Sequence, residues 1–249
     1  MENIRFCGNY LIEAFSALGL TPGKVRFRWA SELVEKPEYW ETVIRVAKKV
    51  SLSRVTRALP IMGRQIAQRD METAWLLYPC MQVADIFTLD VDCACAGIDQ
   101  RKAHMLARDV AEKLNLKKVV AIHTPLLPSL EGAGRMDIKG LERDEFYAEV
   151  KMSKSKPKSA IFITDSDKEI IDKIRRAYCP PKIIENNPIL AIAKYIIFRG
   201  EEKEFTIERH EKYGGTITLW SYNELAVSYT HLRAHETRHD LVCRLLLEK

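Results

Sequence analysis

The feature that most constrains the fold is a strand–helix–strand pattern in the middle of the chain. Residues 91–97 (VDCACAG) form a short apolar run that ends at Gly97, and 99–116 has the spacing of a long amphipathic helix. A second apolar run at 117–123 predicts another strand. A strand, a tight glycine turn, a helix and a strand make a parallel βαβ unit. The sequence therefore predicts an α/β fold in which helices cover a parallel sheet.

The rest of the first half is predicted to be largely helical. Residues 1–20 and 38–58 have helical spacing, while 24–29 alternates like a strand. Residues 77–87 form a further helix, with Pro79 in its first turn. The basic residues of 38–58 form either a solvated helix face or a surface that faces RNA. These residues are Arg45, Lys48, Lys49, Arg54 and Arg57.

Helix signals without paired strands dominate the chain beyond residue 160. Ser166 and Glu169 have the spacing of a capping box at the start of one helix. Asn187 followed by Pro188 is typical of the start of another. The pattern predicts a second domain that is α-helical.

Composition is that of an ordinary globular protein, with 47% hydrophobic and 29% charged residues. No window approaches the roughly 18 consecutive apolar residues of a membrane span, and the N-terminus has no secretory pattern. A cytoplasmic location without a membrane partner is therefore expected. The net charge of +5 permits an RNA partner without requiring one. Cys93 and Cys95 share one face of a predicted strand, which favours buried reduced thiols over disulfides or zinc ligands.

Three polar side chains share one face of an otherwise apolar helix. Tyr78, Gln82 and Asp85 are spaced i, i+4 and i+7. A buried neutral polar group without a partner destabilises a fold by about 2–7 kcal/mol, so these groups need partners or solvent. They form a core network, lie at a solvent-facing edge, or line a ligand pocket. Gln100 follows the end of a predicted strand, where ligands of such sheets bind, and this second feature favours the pocket.

A lysine-rich stretch, VKMSKSKPKS, occupies 150–159 ahead of a strand-like run at 159–164. Taken alone, it is either a solvated basic linker or a loop that grips a polyanion. Lysines on a mobile loop suit phosphoryl chemistry, because they can meet negative charge as it develops in the transition state. The lysines are Lys151, Lys154, Lys156 and Lys158.

Several of these segments together resemble the tyrosyl-tRNA synthetases of archaeal type, a family of class I aminoacyl-tRNA synthetases. KMSKS is the signature loop of class I, and tryptophanyl enzymes share that loop and parts of the other motifs. The long run VDxAxxGxDQRKxHMLAR and the AYCP sequence favour tyrosine. The matching segments are 78–109, 151–162, 173–181 and 211–225.

The resemblance implies a two-step reaction. Tyrosine and ATP, the latter accompanied by Mg²⁺, give tyrosyl-adenylate and pyrophosphate. The tyrosyl group then passes to the terminal adenosine of tRNA-Tyr. A homodimer is implied for the full-length family, and Mg²⁺ would be held mostly through the ATP phosphates.

Residue roles carried over from the family place the amino acid on the polar helix face. Asp85 would bond the phenol hydroxyl of tyrosine. Tyr78, Gln82 and Gln100 would surround its α-ammonium group. His104, one turn after Gln100, would either brace this pocket or be a plain core histidine.

The same resemblance assigns the lysine loop to ATP. Lys151 and Lys154 would be the catalytic residues that hold the ATP phosphates. Ser153 and Ser155 would shape the loop as further ATP-binding residues.

The chain departs from the family at both ends. Residues 1–160 are expected to form a partial Rossmann-like catalytic domain whose first strands are missing, and 161–225 the start of the α-helical anticodon-binding domain. Residues 226–249 look like translated adapter read-through and are expected to be non-native. No H-x-G-H motif of the HIGH type is present in the sequence. The chain is therefore expected to be an N-terminally truncated fragment with little or no adenylation activity.

Two other interpretations stay open. One is a tryptophan-specific relative, since the tryptophanyl enzymes share several of the motifs. The other is a non-catalytic module that binds tRNA and has kept the scaffold.

Overall fold

The computed structural model describes residues 2–62, 71–132, 151–153, 155–199, 203–211 and 215–231. The chain divides into two compact units. The first contains the described residues up to Ile61, together with 71–94 and 102–121. The second contains Met62, 95–101 and the described residues from 122 onward. None of the described helices combines the length and apolar character that crossing a membrane requires.

The predicted βαβ unit is confirmed. Strands β1 (Cys93–Gly97) and β2 (Val120–Thr124) form a two-stranded parallel sheet, and helix α6 (Arg101–Leu114) connects them. In the described part of the chain five helices precede this sheet, so the predicted α/β class with covering helices is correct. They are α1 (Glu2–Ala17), α2 (Ala30–Val34), α3 (Pro37–Lys49), α4 (Leu52–Ala58) and α5 (Thr73–Thr88).

Helices α3, α5 and α6 share the core of the first unit. Tyr39, Val43 and Val46 recur at four- and three-residue spacing, so they lie on one face of α3, and this face packs on α5. The predicted helix at 38–58 is interrupted after Lys49, because Ser51 caps α4 by accepting a hydrogen bond from the Arg54 N–H. Other buried members of this core are Cys80, Val83, Ala84, Ile86, Leu106, Ala107, Val110 and Val119.

Helix α5 begins earlier than predicted. It starts at Thr73, so Pro79 lies inside the helix and not in its first turn. A proline inside a helix removes one hydrogen bond to the carbonyl four residues before it. Pro79 and Cys80 are both buried, and the packing of this stretch offsets the loss. Local helix rules could not show that packing.

The strand predicted at 24–29 does not form. These residues are turn and irregular backbone, and Phe27 instead stacks on Phe15 of α1 with ring centroids 6.1 Å apart. A strand needs a hydrogen-bonding neighbour, and alternation of apolar and polar residues does not supply one.

The cysteines of β1 are exposed and not buried as predicted. Cys93 and Cys95 alternate with the buried Ala94, as successive strand residues do. Val120 and Ile122 on β2 are also exposed. The described sheet therefore buries one face and leaves the other uncovered.

Both predicted helix starts in the second unit are confirmed. Helix α7 (Asp167–Arg176) begins with a complete capping box between Ser166 and Glu169. Helix α8 (Pro188–Ile192) is capped by Asn187, whose side chain accepts hydrogen bonds from two backbone N–H groups, and continues into a π turn at Ala193–Ile197. The last of the described helices, α9, spans Tyr222–His231.

The second unit also contains a pair of strands, which the sequence did not predict. Strands β3 (Phe205–Ile207) and β4 (Ile217–Leu219) pair antiparallel, with Phe205 opposite Leu219. At three residues each, they are too short for a recognisable alternation. The strand-like run at 159–164 is not a strand, because its Phe162 N–H bonds to the Asp165 carboxylate at 2.7 Å.

The core of the second unit extends into α9. Tyr229 is fully buried, and its hydroxyl contacts Asn187, Cys179 and the carbonyl of Pro180. Residues 232–249 of the segment expected to be read-through lie outside the described residues. The domain boundaries at 160 and 225, the anticodon-binding assignment and the non-native tail stay predictions. Other buried residues of this core are Leu130, Ile174, Ile189, Leu190, Phe198, Phe205, Ile207, Leu219 and Leu225.

Candidate functional site

The three polar residues predicted to share a helix face all lie on α5. Tyr78 is the most accessible, with 43% of its surface exposed, while Gln82 and Asp85 are half-buried. The amide oxygen of Gln82 is buried. The neighbouring Pro79, Val83 and Ile86 are buried in the core. The helix therefore carries a polar strip that begins near solvent and runs toward the interior.

The hydrogen-bond partner of Asp85 is a tyrosine that no sequence pattern singled out. The hydroxyl of Tyr39, on α3, donates a hydrogen bond to Oδ1 of Asp85 at 2.8 Å. The same hydroxyl lies 3.3 Å from the carbonyl of Met81. Because a hydroxyl has one proton to donate, the shorter bond to the carboxylate is the dominant one.

The electrostatics of this pair favour a protonated tyrosine beside an accepting carboxylate. Burial raises the pKa of Asp85 above its ordinary value, and the bond from Tyr39 opposes that rise. Burial, the hydrogen bond to Asp85 and the charge of Asp85 all raise the pKa of Tyr39. The tyrosine thus stays a donor at neutral pH. A carboxylate can accept more than one hydrogen bond, so Asp85 can bind a further hydroxyl.

Gln100 lies in the second unit, in the turn where β1 ends. Gly97 closes the strand, and Ile98–Gln100 form a single 3₁₀ turn that leads into α6. A side chain at position 97 would put its Cβ 2.6 Å from Oδ1 of Asp99 and 3.0 Å from Cδ2 of Leu126. Glycine leaves room for this arrangement, because a Cβ here would force the Asp99 carboxylate or the Leu126 side chain to move.

Lys151 of the lysine loop is paired with that carboxylate. Its Nζ lies 2.6 Å from Oδ2 of Asp99, and the two side chains are 30% and 12% exposed. The backbone is fixed as well, because Lys151 forms an antiparallel bridge with Pro128 and the Met152 N–H bonds to the carbonyl of Leu127 at 2.9 Å. The loop lysine is therefore directed at the end of β1 on an anchored backbone.

A buried serine closes the loop after Lys151. The hydroxyl of Ser159 lies 2.7 Å from the carbonyl of Lys156 and 3.3 Å from that of Ser153, and it accepts a bond from the Ser153 N–H at 3.4 Å. The Ser155 N–H bonds to the hydroxyl of Ser153 at 3.4 Å. Ser153 and Ser155 thus lie in a compact turn, and their role as ATP-binding residues stays a prediction. Lys154 lies outside the described residues.

The structure brings the predicted residues together in two sets. Tyr78, Gln82 and Asp85 share α5, and Lys151 shares the second unit with Ser153, Ser155 and Gln100. His104 is buried on α6. Within the parts of the chain that the structure describes, no group of three His, Cys, Asp or Glu residues could hold a metal ion.

Three residues of these sets were missed by the sequence reasoning: Tyr39, Asp99 and Ser159. A signal existed for Asp99, because it precedes Gln100 at a strand end, where ligands of such sheets bind. Tyr39 and Ser159 look like ordinary helix and loop residues, and only the tertiary fold shows what they contact.

Comparison with known proteins identifies one family across most of the chain. The family model of the class I tRNA synthetases (W and Y) matches residues 2–137 and 144–240. A tyrosine–tRNA ligase of Sulfolobus acidocaldarius is 49% identical over 235 residues, which cover 94% of this chain and 65% of that protein. The ligase of Aeropyrum pernix is 51% identical over 235 residues, with the same coverage of 94% and 65%. The chain thus spans slightly less than two thirds of these relatives.

Solved structures agree with the sequence relatives. The crystal structure of tyrosyl-tRNA synthetase from Aeropyrum pernix matches with a TM-score of 0.77 at 43% identity, covering 97% of this chain and 65% of that one. The Pyrococcus horikoshii enzyme, crystallised with L-tyrosine, matches with a TM-score of 0.79 at 43% identity, covering 91% of this chain and 64% of that one.

Proposed function

Because this chain belongs to the class I tRNA synthetases of the W and Y family, we propose that it carries the tyrosine site and the phosphate-gripping loop of a tyrosine–tRNA ligase. The observation that carries the proposal is the half-buried Asp85 on the polar strip of α5, with its carboxylate fixed by the Tyr39 hydroxyl. A fixed, partly desolvated carboxylate is suited to a ligand hydroxyl, because it accepts hydrogen bonds and does not donate them. The relatives named tyrosine–tRNA ligase support the choice of amino acid.

In the proposed tyrosine site, the amino acid lies along the strip on α5. Asp85 accepts a hydrogen bond from the phenol hydroxyl. Tyr78, the most exposed of the three, and Gln82 bind the α-ammonium group together with Gln100. The oxygens of an amide and a phenol suit an ammonium group, because both accept hydrogen bonds.

In the proposed adenylation step, the tyrosine carboxylate attacks the α-phosphorus of ATP. A carboxylate oxygen forms the new bond to phosphorus, and the bond from that phosphorus to the bridging oxygen of pyrophosphate breaks. Lys151 and Lys154 stabilise the charge that collects on the leaving pyrophosphate, and Ser153 and Ser155 shape the loop around it. Mg²⁺ accompanies ATP and neutralises part of its phosphate charge, bound mainly by the phosphates.

The later steps and the setting belong to the same proposal. The tyrosyl group passes to the terminal adenosine of tRNA-Tyr, with the helices beyond residue 160 as the start of the anticodon-binding domain. The protein acts in the cytoplasm as part of a homodimer. These assignments rest on family membership.

Selective loss of tyrosine binding in an Asp85→Asn variant tests the proposal. Binding of L-tyrosine and of L-tryptophan to the purified chain is measured by isothermal titration calorimetry. A hydrogen bond to a charged group contributes about 1.5–3 kcal/mol, so tyrosine affinity should fall roughly 10- to 100-fold while any tryptophan affinity stays unchanged.

Asp90→Asn is the matched control. Asp90 is exposed just beyond α5, and its φ of 50° lies in the left-handed region, which asparagine also tolerates. This variant should bind tyrosine like the wild type. Tryptophan binding by the wild-type chain in place of tyrosine would favour the tryptophan-specific relative. Salt-dependent tRNA binding without binding of either amino acid would favour a non-catalytic RNA module.

A further inference from the structure

We infer that Tyr39 is a positioning residue that fixes the Asp85 carboxylate and thereby selects a phenol over an unsubstituted phenyl ring. The inference rests on the proposed tyrosine site and extends it to a residue that never touches the ligand. Tyr39 acts through Asp85 alone, by holding one carboxylate oxygen so that the other faces a second donor.

The side chain of Tyr39 is itself held in place by its packing. Its side chain is 2% exposed, and Val43 and Val46 on the same face of α3 are fully buried. The ring of Trp40 meets the Tyr39 ring edge to face, with centroids 5.7 Å apart and planes at 90°. The ring therefore has no room to turn away, and its hydroxyl lies where the packing of α3 on α5 places it.

The hydrogen bond from Tyr39 in turn orients the Asp85 carboxylate. Tyr39 engages Oδ1 of Asp85 at 2.8 Å, so Oδ2 is the oxygen that this bond leaves to other donors. A short bond to one oxygen restricts rotation of the carboxylate about its terminal torsion, which is otherwise broad. The remaining oxygen is then presented in one orientation, and binding a hydroxyl costs less ordering entropy.

The hydrogen bond from Tyr39 also affects the ionisation of Asp85. Burial makes the charged carboxylate less favourable, while the Tyr39 hydroxyl stabilises it. The bond thus favours the accepting form of Asp85 inside a partly desolvated site. A phenylalanine ring offers no donor to that acceptor, so the effect of Tyr39 is confined to ligands with a hydroxyl.

The experiment is a double-mutant cycle between Tyr39→Phe and Asp85→Asn. Dissociation constants of the purified chains are measured for L-tyrosine by calorimetry and for L-phenylalanine by NMR titration at millimolar concentration. In the wild-type background, Tyr39→Phe should weaken the affinity for L-tyrosine roughly tenfold, because the charged acceptor loses a supporting hydrogen bond. The affinity for L-phenylalanine should change by less than about twofold. In the Asp85→Asn background the same change should have little further effect.

Tyr10→Phe is the matched control. It removes a hydroxyl from an exposed tyrosine on α1 and should change neither dissociation constant. Phenylalanine keeps the ring that packs in the core, and thermal unfolding of each variant checks that the fold is retained.

The possible outcomes distinguish a failure of the inference about Tyr39 from a failure of the proposed tyrosine site. Two results would mean that Tyr39 only supports the fold. One is that Tyr39→Phe lowers the affinities for tyrosine and phenylalanine equally, and the other is that it lowers tyrosine affinity by the same factor with and without Asp85→Asn. Either result would overturn the inference and leave the proposed tyrosine site standing. Unchanged tyrosine binding in Tyr39→Phe would also overturn it. No tyrosine binding by the wild-type chain would overturn the proposed function, and the inference with it.

Discussion

At the scale of single residues, two pairs of side chains define the candidate chemistry, and they treat charge in opposite ways. Tyr39 donates to Asp85 and leaves its negative charge in place. Asp99 contacts Lys151 and neutralises its positive charge. An anion that approaches Lys151 must therefore compete with a carboxylate that is already bound. In the proposed function, the first pair prepares the tyrosine site, whereas the second holds Lys151 until a more strongly bound anion displaces Asp99.

Substitutions in the Lys151–Asp99 pair should have opposite effects on pyrophosphate binding. Lys151→Met removes a close positive charge and should weaken binding about tenfold, measured by calorimetry at roughly 0.1 M salt. Asp99→Asn removes the competing carboxylate and should strengthen binding several-fold.

Lys158→Met is the control for this prediction. Lys158 is exposed in the 3₁₀ turn Pro157–Ser159, and its loss lowers the net charge of the segment by the same amount. It should change affinity by less than about twofold, since exposed charges are screened. If Asp99→Asn instead weakened binding, Asp99 would hold Lys151 in its binding position and would not compete with the ligand.

At the scale of elements, the sequence predicts those features that depend on a few residues close together in the chain. The capping box at Ser166 and the Asn187 cap were predicted correctly, because each bond joins residues two or three positions apart. The start of α5 was not predicted correctly, because it depends on the burial of Pro79. The β3–β4 pair was also missed, because each strand depends on a partner strand ten residues away. The site divides in the same way: Asp85 was recognisable on its helix, but its partner Tyr39 lies 46 residues away.

Loss of the capping box should weaken α7 measurably. Ser166 accepts a hydrogen bond from the Glu169 N–H, and the Glu169 carboxylate accepts one from the Ser166 N–H. Ser166→Ala should lower the free energy of unfolding by about 1 kcal/mol, measured by urea denaturation. Ser31→Ala, at an exposed position within α2, should change it by less than about 0.5 kcal/mol.

The same box predicts a pH dependence. Bonds from the backbone and side chain of Ser166 lower the pKa of Glu169 below its ordinary 4.5. A lowered carboxylate pKa stabilises the fold above the unfolded value, and this contribution is lost as the pH falls through the folded value. The stability difference between wild type and Glu169→Gln should therefore be present at pH 6 and shrink below about pH 4.5. A difference that stayed constant down to pH 3 would exclude a role for the ionised group.

At the scale of the whole molecule, each compact unit has its own apolar core. Helices α3, α5 and α6 supply the first, and α7 to α9 with the β3–β4 pair supply the second. Because each core is buried within one unit, damage to one core should act first on the backbone hydrogen bonds of that unit.

Core truncations should separate the two units in hydrogen exchange. Leu106→Ala in the first core and Leu190→Ala in the second each remove a fully buried side chain, at a cost of about 2–5 kcal/mol. Exchange measured by mass spectrometry should accelerate mainly in α3, α5 and α6 for the first variant, and mainly in α7, α8 and α9 for the second. Equal acceleration throughout in both variants would mean that the two cores unfold as one.

Gly97 limits how this gene can change. Every glycine codon becomes an alanine codon through one base substitution, so Gly97→Ala is a single mutational step away. The added methyl group would lie 2.6 Å from the Asp99 oxygen, whose carboxylate pairs with Lys151, and 3.0 Å from Leu126. The smallest change of side chain at this codon would therefore push the Asp99 carboxylate away from Lys151 or shift Leu126, so selection for that ion pair would act against alanine at this position.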